Sequence, residues 1–483
     1  MGNQHSDHRN DDLSYEKSGS PYTSDVAAKW GTCPECKGPN TGWNWCQKCN
    51  SNHFMRLFQS WTSNNEIIDE FIRDTQILAT THSHVFEWIP YKKFYQIKYI
   101  TRGGFGKVYS ASWRDGRIMS WDTGQRTWVQ QYKPKHKVAL KTIYNGMKIT
   151  REFLSEIQIH SRYDDPSYIA NWFGISQDPL SKEYIVVMKY FEHGSIRDYL
   201  RNNQINWLQK VKFIRQISFA LSTIHGSGYC HRNLHTGNIL VDNFPFARIS
   251  DLGQGHLIDT RDDLVSEKKR IIFGVLPYIA PEVLRGQIYS KPADIYSFGV
   301  IICEILSEQP PFNDIAHDYQ LAMRICKGDR PQIKQDVPPS IAKLIQLCWH
   351  SESNKRPAAE RLVGILENAL ENDWKIPPEL KDNDLKIADE IKEFLKSHGK
   401  DKLADFKLNV KDQNNNNHPE AIYISRDLDF PELSKEMDSY ELTKYLTNMN
   451  IPLDIKMHPE ITTAEYVKYF ADINDNNKSN EIE

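Results

Sequence analysis

The sequence predicts an α+β fold across residues 91–370, strands first and helices after. Three observations lead there. "YITRGGFGKVYSASW", 99–113, fits a strand, a glycine-rich turn and a second strand. "HKVALKTI" is another strand, carrying Lys141, and "REFLSEIQIH" behind it is helical and carries Glu156. Beyond them the strand patterns give way to helical ones.

The 483 residues suffice for two or three domains at about 100–200 residues each. Hydrophobic residues are 39% and charged residues 25%, enough for a core beside long polar segments. A net charge of −3 and a pI near 6.6 argue against a global nucleic-acid binder. No apolar run approaches the ~20 residues of a membrane span. The polar opening "MGNQHSDHRNDD" carries no secretory signal. It does fit M-G-x-x-x-[ST] at Gly2 and Ser6, which reads either as an N-myristoylation site or as a polar tail matching a loose pattern. The acidic flank and the lack of a nearby cysteine would make such a lipid a weak membrane anchor.

Along the chain, residues 1–29 read as a disordered tail. Residues 30–53 hold "CPECKGPNTGWNWCQKC", C-x2-C-x9-C-x2-C. Two C-x-x-C turns can aim Cys33, Cys36, Cys46 and Cys49 at one ion, a closed sulfur site that suits structural Zn²⁺ (a zinc ribbon or knuckle). Redox use of one pair is the rival, without the βαβ pattern that usually accompanies it. Trp43 and Trp45 could form the small packing face of this segment or meet a partner. Cys230, Cys303, Cys326 and Cys348 sit in apolar stretches and read as reduced thiols, pointing to a reducing, cytoplasmic setting. Residues 54–90 form a helical linker: Ser63 and Glu66 make an S-x-x-E capping box, and Ile67, Ile68, Phe71, Ile72 and Leu78 recur at roughly helical spacing. Residues 371–483 are polar. "LKIADEIKEFLKSHG" and "SKEMDSYELTKYLTNMN" read as helices, and "QNNNNH", 413–418, as a low-complexity linker.

In the 99–113 turn, glycines would let backbone N–H groups approach phosphate oxygens. A lysine contacting phosphates needs an anion to hold it, which Glu156 would supply to Lys141. Further on come "YCHRNLHTGNIL", "ARISDLGQG", "LPYIAPEVL", "ADIYSFGVI" and "SNKRPAAERL". In this order, the motifs make residues of about 95–370 resemble a eukaryotic protein kinase domain, a two-lobed fold with a small mostly-β lobe and a large mostly-α lobe. The cysteine segment, "EWIPYKKF" and "LCWHSESNKRP" resemble fungal kinases of the tyrosine-kinase-like class, and Pro-Tyr-Ile-Ala-Pro-Glu looks like Ser/Thr specificity. The resemblance implies ATP and Mg²⁺ as cofactors. Ile100, Val108, Ala139 and Leu240 would sandwich the adenine, Met188 would sit at the inner end of the hinge, and Gly103, Gly104 and Gly106 would cover the phosphates. The first glycine of the family turn is Thr101 here. Asn238 and Asp251 would hold Mg²⁺, Glu282 and Arg356 would brace the helical lobe, and Asp294 would hold the catalytic-loop backbone.

The departures that bear most on chemistry lie in the catalytic loop. The family's catalytic-loop Asp is Asn233. An amide of nearly the same size can accept a hydrogen bond but cannot take the proton of an acceptor hydroxyl. A positioned general base contributes roughly 10²–10⁴-fold. The family Lys two positions on is His235, a poor stabiliser of transferring charge when neutral and a conceivable substitute base. Thr260 and Ser266 are hydroxyls of the activation segment that Arg232 could pair with if phosphorylated, or simply loop residues. Three functions stay open: an ATP-binding kinase homologue with impaired phosphotransfer that regulates a protein partner, a slow Ser/Thr kinase, and a nucleotide-free scaffold.

Overall fold

The computed structural model describes residues 30–104, 106–131, 137–143, 149, 154, 168–243, 245–252, 272–371, 380–398, 417–430 and 433. Helices α1 (Gln47–Leu57) and α2 (Glu66–Leu78) lead into strands β1 (Glu87–Trp88), β2 (Phe94–Gly103), β3 (Gly106–Trp113), β4 (Ile118–Asp122), β5 (Thr127–Gln130), β6 (Lys137–Thr142), β7 (Trp172–Gln177) and β8 (Tyr184–Lys189). Six of these make one sheet in the order β1-β7-β8-β6-β3-β2, antiparallel throughout except for the parallel β1–β7 pair. Strands β4 and β5 form a separate hairpin.

The two-residue period of a strand sorts the small lobe into two faces. Val138, Leu140, Ile185 and Val187 point to one side with Phe94, Trp113 and Phe173. Ala139, Val186 and Met188 point to the other, with Trp172, Ile175 and the buried Ile68 and Ile72 of α2. The amphipathic linker helix therefore packs onto the sheet. Its start differs from the capping box expected at Ser63. The N-cap is Asn65, whose carboxamide oxygen accepts from Ile67 N (3.0 Å) and Ile68 N (3.4 Å). Asp69 instead accepts from the Ser63 N–H (2.8 Å) and from the Ser63 hydroxyl. A carboxylate one turn into the helix competes better for Ser63 than the helix N–H groups do.

The cysteine segment is joined to the lobe by aromatic rings. Trp45 is fully buried, donates from Nε1 to Ala79 O (2.8 Å) and stacks on Trp128 of β5. Phe54 of α1 stacks on the same ring at 4.2 Å, and His53 lies 3.9 Å over Trp121 of β4. Trp43, by contrast, is 69% exposed.

The large lobe is helical. It comprises α3 (Ile196–Asn202), α4 (Trp207–Gly226), the hairpin β9 (Ile239–Val241) and β10 (Ala247–Ile249), strand β11 (Ile272–Gly274), α5 (Pro281–Leu284), α6 (Lys291–Ser307), α7 (Tyr319–Lys327), α8 (Pro339–Cys348), α9 (Ala359–Ala369) and α10 (Asp382–His398). Helix α6 runs through the centre of the core, buried along nearly its whole length. The helix read at "LKIADEIKEFLKSHG" is α10. Its Ile387, Ala388, Ile391 and Leu395 are buried, and Arg361 of α9 grips Asp384 through two bonds, 2.6 and 3.0 Å. The last described strand is β12 (Arg426–Leu428), which pairs antiparallel with β11. Asn417 and His418, expected in a low-complexity linker, are hydrogen-bonded to the large lobe: the His418 N–H donates to Asn313 O at 2.8 Å, and Asn313 Nδ2 donates to Asn417 Oδ1 at 3.3 Å. The helix expected at "SKEMDSYELTKYLTNMN" and the N-terminal tail with Gly2 lie outside the described residues.

Glu282 and Arg356 brace this lobe by a two-bond pair, Nη1 to Oε1 at 2.6 Å and Nη2 to Oε2 at 2.7 Å, with the Arg356 side chain wholly buried. Glu282→Ala leaves that guanidinium buried and unpaired. Urea unfolding is expected to show a loss of about 3–5 kcal/mol, against a smaller loss for Glu282→Gln.

Candidate active site

The cleft between the lobes is built from both. On its upper wall, Val108 of β3 pairs with Lys141 of β6, and Ala139 pairs with Met188 of β8. Val108, Ala139, Met188 and, from the large lobe, Leu240 belong to one apolar cluster, so the structure brings these sequence-predicted residues together. Ile100 sits apart, at a register shift in β2, and is 45% exposed. The glycine turn is tight: Gly103 pairs with Gly106, and Gly106 has φ +154°. A Cβ on Gly106 would lie 1.9 Å from Thr142 O, so only glycine fits that approach. Lys107 N donates to Thr142 Oγ1 at 3.0 Å and fixes the returning strand.

Lys141 Nζ lies 2.6 Å from Asp251 Oδ1. This ion pair joins the two lobes across the floor of the cleft. Glu156, the expected partner of Lys141, lies outside the described residues, as do Thr260 and Ser266. Asp251 sits at φ +52°, a left-handed conformation that a non-glycine residue rarely adopts.

Fully buried Asp294, in the first turn of α6, holds the catalytic loop. Its Oδ2 accepts from His231 N (2.7 Å) and from His225 Nε2 (2.9 Å), and its Oδ1 accepts from Arg232 N (3.0 Å). Arg232 is left at φ +65°. Asn238 Nδ2 donates to Asn233 O at 2.9 Å. That leaves Asn238 Oδ1 as the side-chain atom able to ligate a cation, and the Ser250 N–H bond to Asn238 O ties this residue to the segment that carries Asp251. Two hard oxygen donors of this kind suit Mg²⁺.

His235 is buried, and burial pushes its imidazole well below the usual histidine range, with Arg197, His231 and Lys141 adding repulsion. It is therefore neutral. Its Nδ1 accepts from Gly237 N (3.1 Å), so its proton is on Nε2. Nε2–H donates to Ser425 Oγ at 3.0 Å, and Ser425 Oγ–H donates in turn to Asn233 Oδ1, also 3.0 Å. A ring nitrogen that is already a donor there cannot act as the substitute base. Asn233 Nδ2 is buried with no partner among the described residues.

Sequence reading missed two parts of this site. One is a buried network below the loop. Arg197 Nε donates to Glu304 Oε1 (2.9 Å) and Arg197 Nη2 to Tyr278 OH (2.7 Å), while Thr236 Oγ1 donates to Glu304 Oε2 (2.9 Å). Burial works against the Arg197 charge, but Tyr278 and Glu304 hold it above its ordinary range. The other is Ser425. The only signal for it was the short β-prone run "AIYIS" after an asparagine tract.

The cysteines converge separately. The Sγ atoms of Cys33, Cys36, Cys46 and Cys49 all lie within 4.8 Å of one another. Cys33–Cys49 is 3.8 Å and Cys36–Cys46 is 3.7 Å, so no disulfide is formed. Four sulfurs at about 2.3 Å around a tetrahedral Zn²⁺ would stand about 3.8 Å apart. The backbone N–H of Gly38 brings the Cys36 thiol down to about 7, while burial raises Cys46 and Cys49.

A family model described as protein tyrosine and serine/threonine kinase matches residues 94–366. The chain is 28% identical over 310 residues to "Probable serine/threonine-protein kinase gdt4" of Dictyostelium discoideum, covering 62% of this chain and 17% of that one. It is 31% identical over 290 residues to "Probable serine/threonine-protein kinase roco5" of the same organism, covering 56% and 9%. With Ephrin type-A receptor 7 of Gallus gallus the figures are 28% over 242 residues, 49% and 24%. The chain thus spans about a quarter or less of the length of these relatives. No described helix is long and apolar enough to cross a membrane. With the family model covering more than half of its length, the chain belongs to the protein tyrosine and serine/threonine kinase family, and residues 94–366 are its kinase domain.

Proposed function

We propose that this kinase domain binds ATP with Mg²⁺ while transferring phosphate to protein hydroxyls poorly, so that it acts as a pseudokinase-like regulator in signalling. One observation carries the reading. Lys141 stays paired with Asp251, and Asn238 is tied to the catalytic loop, while the loop position that carries an acid in the family carries an uncharged amide, Asn233, which on this reading meets the acceptor hydroxyl. Phosphoryl transfer rests mainly on positioning and electrostatics, so binding outlives the loss of a base better than turnover does. The base is worth roughly 10²–10⁴-fold, about 3–5 kcal/mol in barrier. Neutral His235 adds no charge where the family has a lysine. A slow Ser/Thr kinase is the second reading, favoured by relatives that carry that description.

The four-cysteine cluster is read as a structural Zn²⁺ site. It offers four ligands and so leaves no position for chemistry. The metal would replace a core that a segment of this size cannot build alone.

Three outcomes are expected. ATP with Mg²⁺ at 100 times its Kd stabilises the folded chain by about 2.7 kcal/mol in thermal unfolding, and Asp251→Ala abolishes most of that shift. No shift in the parent chain points to a nucleotide-free scaffold instead. Asn233→Asp raises label transfer from γ-labelled ATP, to an added acceptor protein or to the chain itself, by roughly 10²-fold or more. Equal, brisk transfer by parent and variant shows that the amide does not limit the reaction. Atomic absorption finds one zinc per chain, and Cys46→Ser loses it together with thermal stability. A metal-free chain of unchanged stability excludes the site.

A further inference from the structure

Residues 417–430 run along the large lobe, meet the catalytic loop at Ser425 and continue onto β11. The His317 N–H donates to Glu420 O (3.0 Å), and the His317 ring lies between two carbonyls, with Nδ1 2.9 Å from Ile422 O and Nε2 3.1 Å from Phe312 O. Tyr423 OH donates to Pro311 O (2.9 Å), and the Arg197 guanidinium lies 4.7 Å over the Tyr423 ring. Arg426 then pairs with Gly274, Asp427 with Phe273 and Leu428 with Ile272, an added antiparallel strand on β11. Leu428 is buried in the main core, and Arg426 Nη2 reaches His317 O at 2.5 Å. Between the anchored tyrosine and this strand stands Ser425. It is 7% exposed, with its hydroxyl bonded to Asn233 and His235. The glycine turn closes over it from above: a Cβ on Gly104 would lie 2.5 Å from Ser425 O.

We propose that residues 417–430 are a cis-acting substrate mimic that fills the peptide groove of this domain and presents Ser425 as the acceptor hydroxyl. The proposal rests on the reading above that acceptor hydroxyls are met at Asn233. Three features of a bound acceptor peptide coincide in the segment. Its residues Arg426–Leu428 are extended and add a strand to the edge of β11, one recurring mode of peptide capture. It places a hydroxyl within hydrogen-bond distance of the catalytic-loop side chain. It seats side chains on both sides of that hydroxyl, Tyr423 before it and Leu428 after it. The geometry also points to the peptide class: a serine peptide with an aromatic residue two positions before the serine and an aliphatic one three positions after, extended on the side beyond the serine. The amide of Asn233 suits a resident serine, because it accepts the hydroxyl hydrogen bond without drawing off the proton. Tethering at an effective concentration on the order of millimolar keeps even a modest ligand docked and bars competitors.

The test uses the full chain and a fluorescein-labelled peptide of residues 417–430. Fluorescence anisotropy should show binding to the Tyr423→Ala/Leu428→Asp variant at least ten times tighter than to the parent, whose groove is filled. Hydrogen exchange should show the amides of residues 418–428 protected in the parent and released in the variant, with those of α6 protected in both. A milder Tyr423→Ala/Arg426→Ala variant gives the same comparison should the first misfold. Equal peptide binding by parent and variants, binding by neither, or unprotected 418–428 amides in the parent overturns the proposal. So does a parent that is a dimer by light scattering and dissociates in the variant, which places a second copy in the groove. None of these readouts depends on phosphate transfer, so they fail or succeed separately from the impaired-turnover reading.

Discussion

The Asp294 carboxylate is the constraint on which the rest of this molecule depends. It is fully buried at the start of α6 and takes two backbone N–H groups and one imidazole N–H from the segments that carry the site. Charge-assisted bonds of this kind are roughly twice as strong as neutral ones. They offset the left-handed backbone of Arg232, a conformation costing on the order of 1–3 kcal/mol. With that turn held, the positions of Asn233 and Asn238 follow. His231 Nε2 donates to Ser250 O (3.0 Å), and Ser250 N donates to Asn238 O (2.8 Å), so the loop and the Asp251 segment are fixed against each other. The site is a cross-braced frame in which Asn233 and His235 stand where the family has an acid and a lysine.

Below that frame, Glu304 extends the same logic. It accepts from Arg197, Thr236 and Tyr278, tying α3, the catalytic loop and the segment after β11 to the far end of α6. Arg197 also donates to Tyr423 O at 3.4 Å, so one guanidinium serves both the frame and the C-terminal segment. The small lobe is stiffened from its other side. Its aromatic hairpin β4–β5 carries the cysteine segment, while α2 packs against the sheet face that includes Ala139 and Met188.

Much of this was legible in the sequence because the family motifs are short, ordered and tied to backbone needs. Gly106 is an example: the close pass of Thr142 O admits no side chain, so the residue type reports the geometry directly. The start of α2 was misplaced because two candidate caps lay within three residues, and only the position of Asp69 decides which is captured. The protonation of His235 depends on burial and on Gly237 N, neither of which a linear pattern carries. Ser425 was invisible for a stronger reason. Its surroundings are assembled from Asn233, His235 and Gly104, each more than 180 residues away, and its own neighbours along the chain spell only a short β-prone run.

The margins of the small-lobe sheet have a consequence of their own. At one end β1 is only two residues long; at the other, β2 is broken by register shifts at Tyr95/Lys98 and Tyr99/Thr101. Short and irregular borders resist templating by a foreign strand. The roof of the molecule therefore offers little to an added strand, whereas the edge of β11 already carries one in β12.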